Sequence, residues 1–126
     1  MTVRGQLSLL EPATRTATIN SPQQNGTVAK SVRLYLNVTA ASGSGGLTLQ
    51  LRGYEKITGN PVVLFADSAA ITATGMYVFE IAPAVGAADS HRRVVLSAYL
   101  PLVWDVNIVH GDASNYTYSL SGEKTS

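Results

Sequence analysis

With 126 residues, 45% of them hydrophobic, and nine Lys and Arg against eight Asp and Glu, the chain is long enough for one core and carries a net charge of only +1. This balance excludes wholesale disorder, and with no basic run longer than Arg92-Arg93 it excludes direct electrostatic capture of nucleic acid. Cysteine is absent, which excludes thiol chemistry and a disulfide-stapled scaffold. Charged residues make up 13% of the chain, against about 25% in an ordinary domain, so Ser, Thr, Asn, Gln and small apolar groups must cover much of the surface. Such a surface suits a protein packed against other proteins. No apolar stretch is long enough for a signal peptide or approaches the roughly 20 residues of a membrane helix, so the expectation is a soluble protein made in the cytoplasm.

Residues 1–30 have mixed polarity. Residues 6–10 and 14–19 could each be a strand, and 20–27 are polar and loop-like. The segment reads as an arm that either adds edge strands or reaches out to a neighbour. From there period two dominates. Val32, Leu34, Leu36 and Val38 alternate with polar residues, as do Leu47, Leu49 and Leu51. Tyr77, Phe79 and Ile81 form a third set, Trp104, Val106 and Ile108 a fourth, and Tyr116, Tyr118 and Leu120 a fifth. Side chains two apart share one face of a strand, so each set predicts a half-buried strand. Residues 61–66 and 94–99 are apolar without alternation and read as strands buried on both sides.

Turn chemistry separates these runs. Ser42-Gly43-Ser44-Gly45-Gly46 reads as a flexible loop, and Thr58-Gly59-Asn60-Pro61 as a tight turn with Gly59 at positive φ. Gly75 separates Ile71-Thr72 from the strand at Met76. Gly111-Asp112-Ala113-Ser114 reads as a hairpin loop between the last two strands. Residues 84–93 are the best helical candidate, short and interrupted by Gly86, so one irregular turn is allowed there. The fold class is all-β, a single-domain antiparallel β-sandwich, jelly-roll-like or Ig-like. Its core spans 31–121, with the arm before it and a frayed polar tail at 122–126. The expected core comprises Leu34, Leu36, Val38, Leu47, Leu49, Leu51, Phe79, Trp104, Val106, Ile108 and Tyr118.

Residues able to do chemistry are few. His110-Gly111-Asp112 offers two metal ligands where three or four are needed, so it reads as a turn in which Asp112 bonds its own backbone. His91, before Arg92-Arg93, reads as a solvated or interface loop. There is no G-x-S-x-G elbow, and the Gly-rich loop lacks the lysine and following helix of a phosphate site. The eight carboxylates are scattered, with Glu80 and Asp105 at outward phases. No catalytic residue, cofactor or metal site is expected. Tyr35, Tyr54 and Tyr99 could stack on a sugar, though strand-face packing is the commoner use. The three sequons, at Asn25, Asn37 and Asn115, read as chance occurrences in a Thr-rich chain.

Three stretches in order carry a resemblance. They are Leu36-Asn37-Val38-Thr39-Ala40-Ala41-Ser42-Gly43-Ser44-Gly45-Gly46-Leu47-Thr48-Leu49, then Ile71-Thr72-Ala73-Thr74-Gly75-Met76-Tyr77-Val78, then Leu100-Pro101-Leu102-Val103-Trp104-Asp105-Val106-Asn107-Ile108-Val109-His110-Gly111 continuing to Tyr116-Thr117-Tyr118-Ser119. Over residues 30–120 the chain resembles small β-rich virion structural proteins of tailed bacteriophages. The resemblance implies a capsid decoration or cement protein on the virion surface, made in the host cytoplasm, with the major capsid protein as partner and self-association as a homotrimer or other oligomer. It implies no membrane and no direct nucleic-acid contact. A carbohydrate-binding or adhesin module and a neck or tail component are the alternatives. Arg4, Arg15, Arg92 and Arg93 are the candidate partner-facing residues.

Overall fold

The computed structural model describes residues 4–25, 31–67, 69–82, 92–97 and 101–125. In chain order the strands are β1 (Arg4–Arg15), β2 (Ile19–Asn20), β3 (Gln24–Asn25), β4 (Ser31–Ala41), β5 (Leu47–Tyr54), β6 (Pro61–Ala66), β7 (Gly75–Ala82), β8 (Arg92–Ser97), β9 (Val103–His110) and β10 (Tyr116–Thr125). They form two packed sheets. Sheet A has the order β1-β10-β4-β7-β8, and sheet B the order β2-β9-β5-β6 with β3 also on β9. All pairs are antiparallel except β7–β8, which is parallel. No helix among the described residues is long and apolar enough to cross a membrane.

Alternation places the core. Leu47, Leu49 and Leu51 of β5 lie across from His110, Ile108 and Val106 of β9, so their apolar phase faces sheet A as one layer. Leu34 and Leu36 pair with Phe79 and Tyr77 on one side and with Gly122 and Leu120 on the other, which builds the opposing layer. All eleven expected core residues are at most 2% exposed. Leu9, Leu10, Val32, Ile71, Ile81, Tyr116 and Leu120 complete the core. Ile71 enters it outside any strand, held by paired backbone bonds with Leu47 at 2.8 and 2.9 Å.

Several expectations are corrected. Residues 61–66 are not buried on both sides: among the described residues β6 pairs only with β5, and Val62, Val63 and Leu64 are each about half exposed at the sheet's rim. The run 94–99 falls partly in β8, the opposite edge of sheet A, and its side chains lie outside the described residues. Of the helical candidate at 84–93, only Arg92 and Arg93 are described, and they open β8. Residues 122–125 are not frayed: they continue β10 between β1 and β4. Gly122 hides that continuation, because it replaces the next apolar residue where a Cβ would meet the Arg33 carbonyl and the Leu34 side chain at 3.2 Å. Residues 111–114 do not close a hairpin, since β9 belongs to sheet B and β10 to sheet A.

The amino-terminal segment adds edge strands. β1 pairs with β10 along its length and buries Leu9 and Leu10, while β2 and β3 pair with β9 in the other sheet. One segment therefore edges both sheets. The expected turn between β5 and β6 is present, with Gly59 at φ 73. Its shape is set by the Glu55 carboxylate, which accepts the backbone N–H groups of Ile57 and Thr58 at 2.8 Å. Hydrogen bonds from the Thr58 hydroxyl and these amides hold that carboxyl below its usual range.

Candidate functional site

The four candidate arginines do not form one site. Arg4 opens β1 beside Thr125, and Arg92 opens β8 beside Val78, so they occupy opposite edges of sheet A. Strands ~4.8 Å apart put those edges roughly 19 Å from one another. Arg15 lies at the far end of β1. Its guanidinium stands 4.7 Å over the Tyr118 ring and donates to the carbonyls of Tyr118 (2.7 Å), Glu11 (2.6 Å) and Ala13 (3.3 Å). Arg15 thus stitches the irregular end of β1 to β10, where the register shifts.

The most concentrated electrostatics lie on the outer face of sheet B. Arg52 and Asp105 sit directly across β5 and β9. The guanidinium grips both carboxylate oxygens, at 2.8 and 2.6 Å, and the Tyr54 hydroxyl donates to Oδ2 at 2.5 Å. Although outward in phase, Asp105 is only 1% exposed. The hydrogen bond to Asp105 raises the pKa of both Arg52 and Tyr54. One row along, the Asn107 amide donates to Gln50 at 3.1 Å. Arg52, Tyr54 and Asp105 satisfy one another, while the Asn107 Oδ1 is buried without a partner among the described residues.

A second polar centre closes one end of the sandwich. Asp112 Oδ1 accepts the Ser114 N–H at 3.2 Å, the local turn expected of it. Oδ2 also accepts the Gly45 N–H at 2.7 Å, and Oδ1 the Tyr116 hydroxyl at 3.0 Å. That hydroxyl in turn accepts the Gly46 N–H at 2.8 Å in the interior. Together with bonds between Ser42 and Asn115, these pin the Gly-rich loop against residues 111–115 and tie the two sheets together. The backbone donor Gly45 leads the causes that hold the Asp112 carboxyl below its usual range. Gly46 needs its positive φ of 76 to make this approach.

His110 neighbours this centre. Its Nε2 shares a 2.8 Å hydrogen bond with the Tyr118 hydroxyl, and its Nδ1 is buried without a partner. Burial pushes the imidazole below its usual pKa, with Asp112 opposing and Arg15 reinforcing the shift. Burial also pushes the Tyr118 phenol up to about 12. His91 lies outside the described residues, and no group of three or more His, Asp or Glu placed to hold a metal occurs among those described.

The described surface offers apolar rather than chemical features. Its large exposed hydrophobics are Ile57, Val62, Val63, Leu64, Met76, Leu102 and Val103, all aliphatic or Met, while Trp104 is in the core. The sequence does not distinguish these residues from core residues, because their place in the fold, which for Val62, Val63 and Leu64 is an edge strand, exposes them.

No family model matches the chain, and no curated protein matches it. Among solved structures, it is similar over 100% of its length to the SPBc2 prophage-derived protein YomS, covering 96% of that chain with a TM-score of 0.56 and 10% identity. It is also similar to a chain in the structure of infectious bursal disease virus, Gx strain, with a TM-score of 0.50 and 15% identity. There 99% of this chain spans 33% of the viral one, so the present protein is about a third of its length.

Proposed function

We propose that the chain is a structural protein of a tailed-bacteriophage virion that decorates the capsid and bridges major capsid protein subunits. The observation that carries this reading is the end-to-end likeness to a prophage-derived protein of nearly the same length. A viral chain of related fold supports it. The role is adhesive rather than catalytic, a reading supported by Arg52, Asp105 and Asp112 being engaged in holding strands and loops together. Among the described residues the large exposed hydrophobics are aliphatic or Met, which favours a protein partner over a sugar, for which exposed aromatic platforms would be needed; Tyr99 lies outside the described residues. If only the assembled shell presents the binding site, each bound copy stabilises the assembled state by mass action.

The test is the copy number in purified virions, measured by quantitative mass spectrometry against the major capsid protein. Hundreds of copies support decoration. A count of about a dozen or fewer fits a neck or tail ring instead. Absence from virions refutes the proposal. Arg92→Glu with Arg93→Glu should reduce co-sedimentation with undecorated capsids while leaving circular dichroism unchanged. Full occupancy by that variant would remove this edge of sheet A from the contact.

A further inference from the structure

Five of the seven large exposed hydrophobics among the described residues, Ile57, Val62, Val63, Leu64 and Leu102, lie at the β6 side of sheet B. Val62, Val63 and Leu64 lie on β6, and Ile57 is in the turn that leads into it. Pro101 and Leu64 both crowd the position where a Cβ on Gly53 would lie, at 3.3 and 2.9 Å, which brings the Pro101-Leu102 segment against β6. Val103, by contrast, pairs with Asn25 of β3 at the start of β9, with β5 between it and β6.

The other sheet edges are guarded. β1 carries Glu11, Pro12, Arg15 and two register shifts. β8 opens on Arg92-Arg93. β2 and β3 have two residues each, separated by a segment containing Pro22. Charges, prolines, bulges and short strands are the devices that keep sheet edges from associating. β6 has a proline at its first position and a bulge at Leu64, but no charge between Pro61 and Ala66.

We infer that the β6 side of sheet B is a contact between two copies of this chain, related by a two-fold axis. An uncharged strand edge fits an uncharged edge, and a second β6 supplies one that is self-complementary under two-fold symmetry. The area supports a pair. Taking roughly 100 Å² for a fully exposed aliphatic side chain, the five residues offer about 310 Å² per copy. Two copies bury about 620 Å² of apolar surface; with roughly 60% of an interface apolar, the total is near 1,000 Å², at the threshold for specific association. The dimer is therefore a weak one, at the small end of specific interfaces. The inference is independent of the capsid reading, because it concerns the free protein.

Sedimentation equilibrium of the full chain, from low to several hundred micromolar, tests it. The expected mass rises from 13.3 kDa toward twice that value. Val63→Lys with Leu64→Lys should weaken association at least tenfold without changing the circular dichroism spectrum. Leu102→Lys, outside the strands, should do the same and serves if the double variant fails to fold. Hydrogen exchange at the amides of residues 62–65 should slow as concentration rises. A monomer at every concentration, a trimer, or a dimer indifferent to all these substitutions would overturn the inference.

Discussion

Removing the Asp105 carboxylate should be among the most damaging single changes on the outer face of sheet B. Asp105→Ala leaves the Arg52 guanidinium, with a side chain only 14% exposed, without its counter-charge, and takes away the acceptor of the Tyr54 hydroxyl. Breaking a buried ion pair from one side costs about 3–5 kcal/mol, because the remaining charge stays desolvated. Against about 5–15 kcal/mol of total stability for a domain, this is a third or more of the margin. For a chain of this length, the melting temperature should fall on the order of 10–20 °C. Urea unfolding followed by the single tryptophan, Trp104, gives the magnitude, since its ring is buried next to Asp105 in β9. Replacing the pair together, with Arg52→Met and Asp105→Leu, should recover most of the loss, because both desolvation penalties disappear with the charges. A loss under about 1 kcal/mol in the single variant would mean that the pair is solvated and behaves as a surface salt bridge.

Trp104→Ala should cost about 3–5 kcal/mol in the same assay, as expected for deleting a fully buried aromatic; a loss under roughly 1 kcal/mol would place the ring in solvent. For His110, the folded pKa lies below the unfolded value, so the unfolded chain binds the proton first and stability falls as pH drops through about 6.5. His110→Gln should flatten that part of the stability–pH curve, and an unchanged slope would assign the dependence to other groups. Leu9→Asp should destabilise the fold by several kcal/mol, because β1 buries this residue in the common core; a stable, folded variant would show β1 to be a detachable arm.

The architecture was readable because most of the chain obeys one rule. Where polar and apolar residues alternate, the phase alone selects the inward face, and the inward sets of β4, β5, β7, β9 and β10 were assigned without knowing which strands pair. Failures came where glycine or bulges break the alternation. Gly122 sits at a buried position with no side chain to announce it, so the last turn of alternation looked like a tail. In β1, register shifts after Ser8 and Leu10 put the adjacent residues Leu9 and Leu10 both in the core, which no strict period of two can produce. The local turn of Asp112 was legible from its neighbours in sequence. Its bonds to Gly45 and Tyr116 were not, because they depend on how the two sheets meet.

The features that bear on partners were least legible, and the reason is physical. An unbroken apolar run such as Pro-Val-Val-Leu-Phe-Ala reads identically whether its strand is central or at an edge, because the missing information is the identity of its neighbours. Burial on both faces requires a packing layer above and below the sheet, whereas a two-sheet sandwich covers one face, and β6, with β5 alone beside it among the described residues, lies at the rim. The same composition that would have made β6 an inner strand makes it an apolar rim. Conversely, the outward charge of Asp105 suggests a solvent-facing group, but Arg52 across the ladder and Tyr54 two residues along turn it into an internal tie. Pairing therefore reverses the apparent roles of the two segments: the charged position consolidates the sheet, and the hydrophobic one is left exposed.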